Sequence, residues 1–365
     1  MNNKERLYNI EFINVIAIIL VILGHSGCVY ANIWDDDIVY KNSEIIRYIT
    51  NYIYSFHMPL FVFLSGYLYS NGKINNKYRS FTELISKKFR RLIVPYLFIG
   101  ILFMLPIKII FHLDNISSSY FIRAINEIIL ARHPSHLWFI LMLFNLFIIF
   151  YIIEKYLNKN KLIINLLILV TISIVSVKIP NVYQISTSMQ YLLYFYIGYI
   201  IQKYKDNINF LKEKWKVLLI LQIVGFNFDY FIINNLRTTN SNIVFIKFLN
   251  LLVDKIIALL GIMFIFTIIQ ISLKKGENRI YKLINTKLFK KISKNSYYIY
   301  LIHQPIMLVI LRQIRDIPIY PIIVYNILFW STLYISFILI KVYEIFISIV
   351  DKSNLQIKKF NLSVK

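Results

Sequence analysis

The chain is a succession of apolar runs, each about the length of a membrane-crossing helix, joined by short connectors that alternate between rich and poor in Lys and Arg. A helix needs about 20 apolar residues to cross the hydrocarbon core of a bilayer. Ten such segments are read at roughly 10–30, 45–70, 92–112, 137–154, 162–178, 186–202, 217–234, 243–273, 295–312 and 320–350. Only 16% of the 365 residues are charged, 58% are hydrophobic, and the mean hydropathy is +0.60. Soluble domains carry about 25% charged residues, so a water-exposed surface around a buried core is not available to this composition. Lipid as the outer solvent removes the conflict. The expected fold is an all-α, polytopic transmembrane helix bundle of about ten spans. It forms a single domain over 1–352, with a short basic tail over 353–365.

The formal net charge of +23 invites a nucleic-acid reading, but the placement of the charges argues for topology instead. Connectors 1–9, 71–91, 155–161, 203–216, 274–294 and 351–365 hold 29 Lys and Arg, whereas 31–47, 113–136, 178–185, 235–242 and 312–319 hold 8. Short basic connectors stay in the cytoplasm. Both termini are therefore expected inside, and Trp34-Asp35-Asp36-Asp37 outside. No nucleic-acid motif accompanies the charge, so no nucleic-acid partner is expected. The one cysteine, Cys28, leaves no intramolecular disulfide. Its surroundings lack a lipoprotein or signal-peptidase site, and the first apolar run reads as a retained helix. The Ile, Asn and Lys bias suggests an AT-rich bacterial genome, hence a bacterial inner membrane.

Strongly polar side chains are costly in a bilayer and face the bundle interior or a water-filled cavity. The first segment carries Glu11, Asn14 and His25. Asn14 and His25 are eleven residues apart, about 20° past three full turns, so they share one helix face. Histidine exchanges protons near neutral pH, which makes His25 a candidate base, although a helix-end histidine satisfied by a carbonyl is the plain alternative. The second segment places His57 beside Pro59, and Ser65-Gly66 reads foremost as a close-packing pair. Lys87, Lys88, Arg90 and Arg91 precede Pro95-Tyr96 at the inner mouth of the third segment, where they suit either topology or a phosphate clamp. His303 lies in the ninth segment, before Pro305. His133 and His136 lead into Trp138; with no carboxylate nearby, their i, i+3 spacing gives little support for a metal site, and none is expected.

These stretches, in this order, resemble the membrane acyltransferase type 3 family. The resemblance is closest to its sugar and polysaccharide O-acetylases, the subset that includes the intercellular-adhesin modification protein and fucose O-acetylase-like proteins. The matching stretches are Ile18 to His25, Phe56-His57-Met58-Pro59-Leu60, Leu64-Ser65-Gly66-Tyr67, Lys87 to Tyr96, Leu137-Trp138-Phe139 and Ile299 to Pro305. The resemblance implies transfer of an acetyl or similar short acyl group from cytoplasmic acyl-CoA to a hydroxyl of a cell-surface or exported carbohydrate. Acetyl-CoA would be a co-substrate, with no permanently bound cofactor, and glycan-synthesis machinery is a possible partner. The family's first-helix signature is a basic residue, ten residues, then histidine; His25 matches the histidine, and Asn14 stands at the basic position. Its paired basic motif falls on Lys88 and Arg91, with Lys87 and Arg90 beside them. His25 is then the expected catalytic residue, with Glu11 and Asn14 supporting it on the first helix. His57, Ser65, Trp138 and His303 would shape the cavity or position substrate. A non-enzymatic polysaccharide exporter or flippase is the competing reading; inverted repeats with broken helices would favour it, and the sequence shows no such halves.

Overall fold

In the computed structural model, residues 3–34, 38–39, 41–113, 118–204, 213–233, 235–236, 244–274 and 282–363 are described. Asp35, Asp36 and Asp37 lie outside the described residues, as do 205–212, 237–243 and 275–281 of the expected connectors. All regular structure among the described residues is helical. The helices are α1 (Asn3–Ser26), α2 (Glu44–Tyr54), α3 (His57–Ile74), α4 (Phe81–Ile110), α5 (120–129), α6 (Trp138–Leu157), α7 (Leu162–Val175), α8 (Ile185–Lys203), α9 (Trp215–Phe228), α10 (Val244–Lys274), α11 (Lys287–Ile314) and α12 (Pro321–Ser363).

Among the described residues, six stretches are long and apolar enough to cross a membrane: Tyr8–Ser26, Phe81–Ile110, Ser135–Leu157, Trp215–Ile233, Phe245–Ser272 and Pro321–Ile345. Their outer faces expose Phe98, Leu102, Ile220, Val224, Ile256, Trp330 and Ile338, a surface suited to lipid and not to water. The other four expected segments are helical but shorter or more polar. α7 is apolar and short. α3, α8 and α11 carry Ser, Tyr, His and Gln because protein surrounds them: His57, Tyr69, Tyr196, Gln202, Asn295 and His303 are all buried.

The expected span 45–70 is two helices. Its break falls at Ser55 and Phe56, where Phe56 leaves the helical region (φ −144°, ψ −11°). Pro59 causes this, since it is tolerated in a first helical turn, where its missing N–H would have had no partner anyway. The break sets His57 at the start of α3. Wide turns at Phe89–Ile93 and Gly100–Met104 likewise interrupt α4 just before Pro95 and Pro106. Side chains from other helices satisfy carbonyls near these prolines. Tyr297 Oη donates to the Arg91 carbonyl at 2.8 Å, and Tyr120 Oη to the Ile101 carbonyl at 2.6 Å. His136 Nε2 donates to the Leu301 carbonyl, four residues before Pro305, at 2.8 Å.

α1 runs through the middle of the bundle, packed against α2, α3, α10, α11 and α12. Asn9 Nδ2 ties it to Gln270 of α10, and Asn14 Nδ2 ties it to Ser296 of α11 at 2.6 Å. The closest helix approach is between α3 and α8. A Cβ on Gly66 would lie 1.9 Å from the Phe195 carbonyl oxygen, and one on Gly198 would lie 2.0 Å from that of Phe63. Small residues let transmembrane backbones touch in this way.

Candidate functional site

Four histidines from four elements converge where α1, α3 and α11 meet the turn before α6. His25 is near the end of α1, His57 opens α3, His303 is in α11, and His136 lies in the short turn Ser135–Leu137. The ring of His25 is 4.8 Å from that of His303 and 6.4 Å from that of His57. The rings of His136 and His303 are 5.2 Å apart. Trp34 and Tyr54 close around His25, each with its ring centre 5.8 Å away. Tyr54 also lies 4.7 Å from His57, and its hydroxyl is 2.8 Å from Cys28 Sγ.

Hydrogen bonds fix which nitrogen of each ring holds the proton. A carbonyl only accepts, so the nitrogen facing it carries hydrogen. His25 Nδ1 faces the Val21 carbonyl at 3.0 Å, and His57 Nδ1 faces that of Ile53 at 3.0 Å. His303 Nδ1 faces the Tyr300 carbonyl at 2.6 Å. In their neutral forms these three rings keep Nε2 as the basic atom. The lone pair of His303 Nε2 lies 3.3 Å from His25 Nδ1, so that N–H is shared between Val21 and His303. This pairing orients the His25 ring and leaves its Nε2 free to accept a proton. His57, His136 and His303 are buried at 1%, 4% and 0% exposure, whereas His25 is half-buried. His25 is therefore the most accessible member of the group.

His136 is held in reverse, with Nε2 donating to Leu301. Its backbone N–H donates to Gln304 Oε1 at 2.9 Å, and its carbonyl accepts from the Tyr300 hydroxyl. Three bonds thus clamp the turn before α6 onto α11. Beside it, Glu127 joins Arg123 at 2.7 Å and Lys108 at 3.0 Å in a buried ion triad between α4 and α5.

The basic group at the start of α4 divides. Lys87 turns outward to Glu83 (2.6 Å) and the Lys77 carbonyl (2.8 Å). Lys88 turns inward, its ammonium 3.4 Å above the Phe147 ring and 5.4 Å from that of Tyr78. Arg90 and Arg91 are exposed, and their guanidinium groups have no ion-pair partner among the described residues. Tyr297, bonded to the Arg91 backbone, and His303 are six residues apart in α11, about 9 Å along the axis. One helix thus links the cations to the histidines.

The structure brings His25, His57 and His303 together, as their intramembrane positions suggest. It does not bring Glu11 to them: Glu11, one turn before Asn14 on α1, is exposed. Asn14 is on the interior side, bonded to Ser296. Ser65 donates to the Phe61 carbonyl of its own helix at 2.9 Å, and Trp138 packs on Phe139 and Tyr191, away from the histidines. His136, Tyr54 and Tyr300 are the partners that sequence reasoning missed. The nearness of Pro305 was the available signal for His136, since a proline inside a helix leaves a carbonyl that something must satisfy. Among the described residues no three His, Cys, Asp or Glu side chains form a metal-holding group.

Residues 7–341 match the family model described as an acyltransferase domain. The nodulation protein NolL of Sinorhizobium fredii is 33% identical over 100 residues, which are 27% of this chain. The match spans 24% of that protein's length. No solved structure matches the chain.

Proposed function

Because this chain belongs to the acyltransferase type 3 family, we propose that it moves an acetyl or similar short acyl group from cytoplasmic acyl-CoA to a hydroxyl of a cell-surface or exported carbohydrate. The proposed setting is a bacterial inner membrane, crossed about ten times with both termini inside, as the 29-to-8 charge bias favours. The observation that carries the reading is His25. It is the most accessible of the four histidines, its Nδ1–H is held by Val21 and His303, and its Nε2 is left to act.

A hydroxyl is a weak nucleophile near neutral pH and needs a base within hydrogen-bond reach. His25 Nε2 takes the hydroxyl proton as the sugar oxygen attacks the thioester carbonyl. A tetrahedral oxyanion forms and collapses, breaking the carbon–sulfur bond. The CoA sulfur leaves with the proton that His25 returns. His303 stabilises the His25 imidazolium by accepting its Nδ1–H. Lys88, Arg90 and Arg91 hold the phosphates of the CoA, since Arg and Lys clamp phosphate oxygens.

The test uses membranes containing the protein, labelled acetyl-CoA and a mixed glycan acceptor. Wild-type protein makes an alkali-labile ester and consumes the thioester, which an exporter would not do. His25→Gln, inserted at wild-type level, loses activity by about 10²–10⁴-fold, the usual contribution of a general base. Undiminished ester formation by that variant would remove His25 from the reaction.

A further inference from the structure

α5 is amphipathic in the reverse sense of a helix on a water surface. Phe121, Ile122, Ile125 and Ile129 are exposed, Phe121 by 77%, whereas Arg123 and Glu127 are buried. The helix packs along the second half of Phe81–Ile110, a stretch long and apolar enough to span a membrane. Tyr96 Oη donates to the Ile128 carbonyl at 2.7 Å, and Lys108 reaches Glu127 at 3.0 Å. Residues 120–129 are too few to cross a bilayer themselves. α5 thus lies beside α4 with an outer stripe that suits acyl chains and not water.

The stripe ends at a cavity of about 550 Å³, within the range of small-molecule pockets (about 300–1,000 Å³). Leu130 to His133, which follow α5, line it together with Asn181, Val182 and Tyr183 of the connector before α8. The lining holds two basic side chains, Arg132 and His133, and no Asp or Glu. Among the described residues neither basic side chain has an ion-pair partner. Glu127, five residues before Arg132, is already engaged by Arg123 and Lys108. The walls are held in place. Asn145 of α6 donates to the Tyr183 carbonyl at 2.6 Å, and the turn after His133 is bonded to α11 through His136. Ala131, Ser135, Tyr183 and Gln184 all have left-handed backbone, with φ of 52°, 48°, 49° and 63°. That conformation is costly for a residue with a Cβ, and such strain gathers at ligand clamps.

We infer that this cavity binds the phosphate of a lipid, whose chain lies along the α5 stripe. A guanidinium matches phosphate oxygens with paired N–H groups, and His133 adds a ring N–H. Ile129 adjoins Leu130 of the lining, so the cationic cavity and the apolar stripe are continuous. A soluble anion has no use for the stripe, and an uncharged lipid has none for Arg132. His133 stands three residues before His136, so a lipid held here brings its headgroup to the turn that carries one of the four histidines. The inference goes beyond the acyl-transfer reading and does not rest on it, since binding is read without turnover.

The experiment uses the full chain in dodecyl maltoside with dodecyl phosphate carrying a terminal diazirine. Native mass spectrometry reads its binding, and mapping of the photo-crosslink reads the position of its chain. The probe binds, and the crosslink falls within 121–129. Inorganic phosphate and dodecanol, each at the probe's concentration, do not displace it. Arg132→Gln weakens binding about tenfold, as expected for one lost charge-assisted bond, and Arg132→Lys restores part of the loss. Arg132 is exposed, so neither change disturbs the packing. Displacement by inorganic phosphate would assign the cavity to a soluble anion, and displacement by dodecanol would leave an apolar face alone; either result overturns the lipid-phosphate site. Binding lost in Arg90→Gln but kept in Arg132→Gln would place the probe at the other cationic group, and crosslinks spread over the remaining lipid-facing helices would place its chain elsewhere. Each of these also overturns the assignment.

Discussion

Replacing Gly66 by Ala tests how tightly the fold sets the site. A Cβ there would lie 1.9 Å from the Phe195 carbonyl oxygen and 2.7 Å from its carbon. Both atoms are backbone, so no side-chain rotation relieves the contact. Real Cβ contacts stay beyond 3.0 Å, and the shortfall of 1.1 Å (3.0 less 1.9) must come from parting α3 and α8. Overpacking of this kind costs about 1–3 kcal/mol. The functional cost is larger, because α3 begins at His57. A misplacement of about 1 Å in a catalytic site costs about 10²-fold in rate. The expected outcome for Gly66→Ala is a lower thermal midpoint in detergent and about a hundredfold loss of ester formation per molecule of inserted protein. Gly225→Ala is the matched control. Its Cβ would meet only Ile257 at 3.5 Å, an ordinary contact, and Ala gains about 0.8–1.0 kcal/mol of helix propensity over Gly. Wild-type stability and turnover in Gly66→Ala would refute the close approach of α3 and α8, and with it the placement of His57.

Glu127→Ala leaves Arg123 and Lys108 facing each other without the carboxylate between them; a loss of about 3–5 kcal/mol is expected, read as a fall in thermal midpoint. Pro305→Ala restores an N–H that competes with His136 for the Leu301 carbonyl. The turn before α6 then loosens, and a Ser135→Cys reporter is labelled faster in Pro305→Ala than in its parent. Lys88→Met removes the inward-facing cation, and the apparent KM for acetyl-CoA rises about tenfold with kcat retained, the pattern of lost ground-state binding.

The sequence by itself determined the solvent and the class of fold. Few charges, long apolar runs and alternating basic connectors leave a helix bundle in lipid as the consistent outcome, because backbone polar groups in hydrocarbon must bond within their own segment. It also marked His25, His57 and His303, since an ionisable residue in an apolar run has to be explained by the interior. Pitch alone placed Asn14 and His25 on one face. Pitch could not place Glu11, because which flank of α1 other helices cover is set by its neighbours; Glu11 ends up exposed. The split of the expected 45–70 span follows from Pro59, but the amount of bending depends on what packs against both halves.

Tertiary structure alone decided the rest of the site. His136 reads in sequence as half of a doubtful metal pair, and it becomes a bonded neighbour of His303 because a proline 169 positions later frees a carbonyl for it. Tyr54, Asp229, Asp254 and Lys255 are scattered along the chain and share one cavity only once α2, α9 and α10 are assembled. Local periodicity reports the face of a single helix. The protonation pattern of the histidines depends on atoms brought within a few ångströms by other helices, and no property of a single segment encodes those distances.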